Sequence, residues 1–201
     1  MMPLMINRTP FSDGVVAFDK ELFTYLNGFG NEKWDWFWLL VTEQKNWLPL
    51  FLLLFYLLYK YFGFKKGLVL IVLIALFITF SDQLVNLIKH YYMRLRPCSD
   101  PDLELSIRAV LQRSSYSFVS GHATTSFAMS TFFILLLKNN FKYIRFLLIW
   151  PILFAYSRVY LGVHFPLDIF TGMYIGIIEG FLFYNLTKLI FNTKWIAKIT
   201  Q

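Results

Sequence analysis

An all-α, polytopic transmembrane helical bundle with five or six spans is the fold that this sequence predicts. Hydrophobic residues make up 57% of its 201 residues and charged residues 15%, whereas soluble proteins average about 45–50% and about 25%. The hydrophobic residues are grouped in long blocks. Such blocks form helices in lipid because each backbone group must be hydrogen-bonded within its own segment. The composition therefore excludes a soluble enzyme and a disordered chain.

Five blocks are long enough to be spans. They lie at about residues 47–62, 67–93, 122–138, 143–161 and 166–191. Pro49 falls in the opening turn of the first block, where proline is tolerated because that position needs no N–H partner within the helix. A sixth span through residues 15–41 would move the N-terminus to the other side of the membrane, and the sequence leaves five and six spans open.

Ahead of these blocks the chain is predicted to carry short interfacial helices. The two predicted parts are an N-terminal segment, 1–46, and a transmembrane domain, 47–201. Residues 34–41, WDWFWLLV, are too few to cross a membrane alone. They either lie in the interface, which tryptophan favours, or extend the first span into one long tilted helix. Residues 19–29 form the other predicted surface helix, with an apolar side made of Leu22, Leu26 and Phe29.

Basic residues between the spans predict the orientation. Three segments on one face of a five-span plan contain nine basic residues and no acidic ones: Lys60, Lys65, Lys66, Lys138, Lys142, Arg145, Lys188, Lys194 and Lys198. The positive-inside rule makes that face cytoplasmic. The polar loop at 94–121 then faces the periplasm or the cell exterior, in a protein of the inner (cytoplasmic) membrane. Because the net charge of +7 comes largely from the ends of apolar blocks, we expect no nucleic-acid partner.

Two cations mark the end of the second span. Lys89 and Arg96 are seven residues apart, about two helical turns, so their side chains point to the same side. Pro97 then ends the helix. Two cations at one helix end suit a multiply charged anion, although lone basic residues at an interface commonly reach for lipid headgroups.

A cap of the phosphate-binding kind opens the third span. Ser120 is a favoured N-cap residue, and the free N–H groups of a first helical turn bind phosphate. Gly121 lets the backbone approach an anion closely, and His122 follows it. Ordinary helix caps have the same composition, so this signal is weak alone.

A histidine and a carboxylate open the fifth span. Arg158 ends the fourth span, and His164 and Asp168 are four residues apart on one helical face. A carboxylate at that spacing accepts from one imidazole nitrogen and leaves the other free to attack an electrophile. Ionisable groups are costly in membranes and are presumed functional. Because these residues are concentrated at one end of several helices, a functional site is favoured over the separate structural explanations of each motif.

These residues resemble the three-part signature of the type 2 phosphatidic acid phosphatase superfamily, which includes vanadium haloperoxidases. The family pattern is K-x6-R-P, then P-S-G-H, then S-R-x5-H-x3-D. The sequence reads KHYYMRLRP from Lys89, VSGH from Val119, and SRVYLGVHFPLD from Ser157. Val119 stands where the family has proline. The resemblance spans residues 89–168 and implies a helical, haloperoxidase-like core.

The resemblance also implies a mechanism. His164 would attack phosphorus and form a phosphohistidine, Asp168 would orient it, and His122 would protonate the leaving group and then activate water. Five residues would bind the phosphoryl oxygens: Lys89, Arg96, Ser120, Gly121 and Arg158. Neither a metal nor another cofactor is implied, and no Asp/Glu cluster in the sequence resembles a magnesium site.

Several polar residues leave alternatives open. Asp82 and Asn86 share the Lys89 face of span two and either support that lysine or line the site. Glu179, among three glycines, is either a protonated packing residue or a substrate contact. Basic residues of the 94–121 loop would suit a second phosphate: Arg94, Arg108 and Arg113.

The substrate is expected to be a membrane lipid phosphate. Undecaprenyl diphosphate is favoured slightly, and lipid A (as a 1-phosphatase) and phosphatidylglycerophosphate are the alternatives. A phosphotransferase between lipids and a non-enzymatic lipid-binding or transport protein are the other hypotheses, the latter weakened because both histidines are present. The expected partners are this lipid and the bilayer, and the sequence does not indicate an oligomeric state.

Overall fold

The structure is a computed structural model that describes residues 10–103 and 105–192. The start of the predicted N-terminal segment and the end of the predicted transmembrane domain, with Lys194 and Lys198, lie outside the described residues. Within the described ranges there is no strand, and the α-helices are α1 (Asp13–Asn27), α2 (Glu32–Thr42), α3 (Leu48–Tyr92), α4 (Gly121–Leu137), α5 (Ile149–Tyr160) and α6 (Pro166–Phe191). A 3₁₀ segment, Lys142–Leu148, leads directly into α5.

Two apolar arms joined at a sharp reversal make up α3. Gly63 has φ of 74° and ψ of 172°, a conformation open essentially to glycine alone. A Cβ at Gly67 would lie 3.8 Å from the Tyr59 Cα. In a continuous helix, positions eight residues apart are separated by about 12 Å. The chain therefore folds back at Gly63, and the two arms correspond to the predicted spans 47–62 and 67–93.

A glycine seam joins α4 and α6. Side chains at Gly176 and Gly180 would overlap the backbone carbonyl oxygens of Thr124 and Ala128, and a Cβ at Gly172 would lie 2.7 Å from the next carbonyl toward the start of α4. The two backbones approach this closely only because one lacks side chains, as in other membrane helix pairs. This seam holds the N-termini of α4 and α6 beside each other, where Ser120 N donates to the Asp168 carbonyl.

Replacing Gly176 by alanine should destabilise the protein by about 2–3 kcal/mol, because the added methyl group meets backbone that has no rotamer with which to move aside. For a chain of this length the Tm falls by about 5–10 °C, which thermal unfolding in detergent measures. Gly14→Ala is the matched control, because a Cβ there meets nothing within 4 Å. Equal Tm values for Gly176→Ala and wild type would contradict the close approach.

The main hydrophobic core lies between α3, α4 and α5, on the side of the seam away from the loop at 94–121. Its fully buried members include Leu58, Leu70, Phe132 and Leu137. This core joins the helices whose ends carry the predicted site residues.

Glu179 faces α3 next to the glycine seam. Ser81 Oγ donates to Glu179 Oε2 at 2.7 Å, and Glu179 Oε1 is buried with no hydrogen-bond partner among the residues that the structure describes. The residue does not line the cavity described below. Its contacts are those of a packing residue between α3 and α6.

The buried face of α1 carries two polar residues. Asp19, Phe23 and Asn27, spaced four apart, are its buried positions. The predicted apolar side is wrong in part: Leu26 packs against Phe23, but Phe29 lies beyond the helix end and is 62% exposed. The polar positions are buried because Asp19 and Asn27 hydrogen-bond to other parts of the chain, which apolar periodicity does not reveal.

The tryptophan-rich segment is a separate helix, α2. Glu43 has extended backbone after it, and a short 3₁₀ turn, Gln44–Trp47, leads into α3, so α2 is not a continuation of the first span. Among the described residues, two stretches are long and apolar enough to cross a membrane: Gln44–Ser99, which contains both arms of α3, and Pro166–Phe191. The count of five or six spans stays a prediction.

Candidate active site

The predicted site residues meet at one end of the bundle. They come from the end of α3, the loop that follows it, the first turn of α4, the end of α5 and the first turn of α6. Six of the eight line one cavity of about 620 Å³: Lys89, Arg96, Gly121, His122, Arg158 and His164. Ser120 and Asp168 lie buried behind it, where Ser120 N donates to the Asp168 carbonyl at 3.0 Å.

The hydrogen bonds of His164 define its tautomer. Its Nε2 lies 3.1 Å from Arg96 Nη1, and arginine is a donor only, so Nε2 accepts and Nδ1 carries the proton. Nδ1 lies 3.3 Å from both Asp168 Oδ2 and Ser117 Oγ. Burial, the largest effect, lowers the pKa of His164 well below its ordinary value despite the Asp168 hydrogen bond. The unprotonated Nε2 therefore keeps its lone pair, which in this structure accepts from Arg96 at the wall of the cavity.

Asp168 is held by four donors. Its carboxylate accepts from Arg94 Nη1 at 2.7 Å, from the Phe165 N–H at 2.9 Å, from Ser117 Oγ, and from His164. The Phe165 bond satisfies a free N–H at the start of α6, a position where a carboxylate is also favoured by the helix dipole. A carboxylate with this many donors stays ionised and keeps one orientation.

A second carboxylate lies behind the first, on α1. Arg94 donates to Asp168 through one nitrogen and to Asp19 Oδ2 through the other, both at 2.7 Å. Asp19 Oδ1 also accepts from the Leu167 N–H at 2.9 Å. All three charged side chains are at most 2% exposed. The chain Asp19–Arg94–Asp168 therefore ties the N-terminal helix to the predicted catalytic carboxylate.

Three cations converge on the cavity. Lys89 Nζ donates to the Tyr116 carbonyl at 3.0 Å, and Arg96 donates to Ser115 and to the Val163 carbonyl. Arg158 Nη1 donates to Thr42 Oγ1. Three buried cations this close, with one carboxylate already paired to Arg94, leave a local excess of positive charge that an anion would neutralise.

One of the unused donors of the Arg158 guanidinium is buried. Its Nε is buried and has no hydrogen-bond partner within 10–103 and 105–192. A buried donor without an acceptor costs about 1–3 kcal/mol, and Arg158 lines the cavity. An oxyanion in the cavity would satisfy it.

The first turn of α4 faces the same space. Ser120 is its N-cap, with the side chain accepting from the Ala123 N–H, as predicted. Gly121 and His122 line the cavity, and the His122 ring packs on Phe154 with centroids 4.9 Å apart. A helix N-terminus and an imidazole thus lie across the cavity from the cations and His164.

The cavity continues from this polar end into the bundle. Asp82 and Asn86 line its wall, as do the polar residues Gln44, Thr125 and Ser126, and the remaining lining is mostly apolar: Leu48, Phe51, Leu54, Ile74, Ile78, Met129 and Phe133. Asn86 Nδ2 donates to Asp82 Oδ2 at 3.2 Å. The shape suits a ligand with an anionic head and hydrocarbon chains.

Some residues of the site were not predicted from the sequence. Ser115 and Ser117 touch Arg96, His164 and Asp168 from a loop with no motif. Thr42, at the end of α2, touches Arg158. For Ser115 and Ser117 the only signal was their position in a long polar loop beside the motifs. Thr42 had none, because its contact depends on how α2 packs on α5.

The basic residues expected to serve a second phosphate are mostly engaged elsewhere. Arg94 is bound by two buried carboxylates, and Arg108 pairs with Asp35 at 3.0 Å. Arg113 alone of the three lines the cavity. Of the three arginines that could supply an additional cation for a diphosphate, Arg113 is therefore the remaining candidate.

No group of three or more His, Cys, Asp or Glu side chains suited to a metal ion occurs in the described ranges. The donors around the cavity are mostly cationic or N–H groups, which bind anions.

Comparisons with known proteins agree with the motif reading. The family model for the PAP2 superfamily matches residues 66–191. A lipid A 4'-phosphatase of Bacteroides thetaiotaomicron is 34% identical over 171 residues, which cover 83% of this chain and 75% of that protein. A lipid A 4'-phosphatase of Porphyromonas gingivalis is 30% identical over 189 residues, covering 91% and 78%.

A solved structure shares the fold. The crystal structure of Aquifex aeolicus LpxE superposes with a TM-score of 0.65 at 26% identity, over 88% of this chain and 97% of that one. The family predicted from the motifs is confirmed, and the chain belongs to the PAP2 superfamily.

Proposed function

We propose that this PAP2 lipid phosphatase removes a monophosphate from lipid A through a phosphohistidine on His164, without a metal ion, at the non-cytoplasmic face of the inner membrane. The observation that carries the catalytic part is the unprotonated His164 Nε2 beside Arg96, with the proton on Nδ1 directed at Asp168. This is the arrangement of a nucleophile held by a third group.

The proposed reaction has two steps. His164 Nε2 attacks phosphorus, the bond from phosphorus to the lipid oxygen breaks, and that oxygen takes a proton from His122. Water then attacks the phosphohistidine while His122 accepts its proton, the P–N bond breaks, and inorganic phosphate leaves. Lys89, Arg96 and Arg158 bind the equatorial oxygens throughout, so the charge that develops is met by fixed donors.

The choice of lipid A rests on two observations. Two relatives that match most of this chain are lipid A 4'-phosphatases. The cations around the cavity are sufficient for one phosphate, since Arg94 and Arg108 are paired elsewhere. The preference for undecaprenyl diphosphate stays a prediction that the same experiment tests.

Purified protein in detergent with EDTA should release phosphate from lipid A faster than from undecaprenyl diphosphate or phosphatidylglycerophosphate. Vanadate should inhibit, because it adopts the five-coordinate geometry of the transition state. Released phosphate and the dephosphorylated lipid are both measured, and lipid A carrying a phosphate only at position 1 or only at position 4' identifies the site of cleavage. Loss of activity in EDTA that Mg²⁺ restores would refute the metal-independent mechanism, and a faster rate on undecaprenyl diphosphate would refute the substrate assignment.

A further inference from the structure

We propose that Asp82 and Asn86 form a headgroup subsite, which binds hydroxyl or amide N–H donors located between the phosphate and the hydrocarbon chains of the substrate. The ligand class is a phosphorylated, N-acylated amino sugar. The proposal deepens the proposed function and rests on it for the placement of the phosphate at His164.

The headgroup subsite lies at a defined depth. Asn86 and Asp82 precede Lys89 by three and seven residues on α3, so all three share one helical face. Seven residues correspond to about 10 Å along the helix axis. Both side chains line the cavity that contains His164. A ligand whose phosphate is bound by Lys89 therefore reaches Asn86 with the sugar ring that follows the phosphate, and Asp82 with the atoms beyond that ring.

The chemistry of the headgroup subsite is that of an acceptor. In the described part of the chain, the only hydrogen bond that either side chain makes is the one from Asn86 Nδ2 to Asp82 Oδ2, and no cation forms a salt bridge with Asp82. Asp82 Oδ1 and Asn86 Oδ1 are thus unused acceptors. Ionisable residues within apolar, membrane-spanning helices are rare and mark functional sites by default, so the position of Asp82 on the wall of this cavity indicates a donor supplied by the ligand.

The surroundings limit what that ligand is. Ile78 and Ile74, the next residues down the same face of α3, line the apolar part of the cavity. Along the wall that α3 contributes, the cation is therefore followed by the hydrogen-bond acceptors and then by hydrocarbon side chains. A polyprenyl phosphate has hydrocarbon directly after the phosphate, and a diacylglycerol phosphate has ester acceptors that the carboxylate repels. An acylated amino sugar has hydroxyl and amide N–H donors at that depth.

Asp82→Leu and Asn86→Leu test the headgroup subsite, with Gln83→Leu as the matched control. Gln83 is an exposed polar residue on the same helix and does not line the cavity. Each variant is assayed with lipid A, undecaprenyl phosphate and p-nitrophenyl phosphate. We expect Asp82→Leu to lower kcat/KM for lipid A about 10- to 100-fold, since hydrogen bonds to charged groups contribute about 1.5–3 kcal/mol. The other two substrates and the control variant should change less than about threefold.

Binding measurements separate this proposal from the proposed function. In a His164→Ala background, Asp82→Leu should weaken binding of labelled lipid A and leave binding of undecaprenyl phosphate unchanged, whether or not the wild type hydrolyses either lipid. Sphingosine 1-phosphate, which also carries donors beside the phosphate, is a further arm. A loss confined to it would retain the headgroup subsite and overturn the amino-sugar assignment. An equal loss for every ligand, or none for any, would overturn the headgroup subsite.

Discussion

His164→Ala should abolish phosphate release, lowering kcat by about 10⁴-fold or more, because the proposed mechanism forms its covalent intermediate on this residue. The neighbours of His164 make this a specific expectation. Arg96 donates to Nε2, and Asp168 and Ser117 lie against Nδ1, so the ring is positioned by every contact it makes. Rapid quench with ³²P-labelled lipid should trap label on the wild-type protein and none on the variant.

Two variants keep this test interpretable. His164→Asn retains a donor toward Asp168 and should be as inactive as alanine while folding normally, which thermal unfolding checks. His90→Ala removes an exposed histidine on α3 that does not line the cavity and should retain activity. Near-normal turnover by either His164 variant would remove it from the nucleophile role.

Arg94→Met should be the most damaging change outside the cavity, with a loss of about 3–5 kcal/mol of stability, because it leaves Asp19 and Asp168 buried and uncompensated. The fraction of protein that still folds should have lower kcat with little change in KM, since Asp168 would lose one of its four donors. Thermal unfolding and steady-state kinetics on the monodisperse fraction measure the two effects.

Conservative variants distinguish positioning from packing. Arg94→Lys keeps the charge but has no planar guanidinium to reach both carboxylates. Compared with Arg94→Met, it should therefore recover more of the stability than of the activity. Asp19→Asn leaves Arg94 with Asp168 and should have the mildest effect. If Arg94→Lys had wild-type kcat, the bridging role of Arg94 would be wrong.

The sequence predicted the site better than it predicted the start of the chain. The signature residues lie at helix ends whose positions follow from hydropathy and proline, and α6 spans the predicted 166–191. The contacts of Ser117 and Arg94 depend on how a long loop folds over those ends, and periodicity carries no information about loops. The buried face of α1 was missed for a related reason, since its polar residues are buried by specific partners rather than by hydrophobicity.

The boundaries of the helices within the apolar blocks could be predicted only in part from the sequence. The reversal in α3 depends on one residue, Gly63, whose positive φ is visible only in the structure. The sequence placed two blocks there because of the lysines between them, not because of the glycine. The fourth predicted block, 143–161, is divided between a 3₁₀ segment and the twelve-residue α5, which hydropathy does not distinguish from a single helix.

The ion pairs that join Asp19, Arg94 and Asp168 depend on the order in which the protein is synthesised. Arg94 follows Asp19 by 75 residues, and Asp168 follows Arg94 by 74. During translation Asp19 is synthesised before Arg94, and Asp168 is synthesised after it. Until then Asp19 is the only one of the two carboxylates that Arg94 can bind. α1 and the start of α6 are therefore joined through Arg94 only after Asp168 has been synthesised. A chain that stops before Asp168 lacks one of the two carboxylates that compensate the buried charge of Arg94.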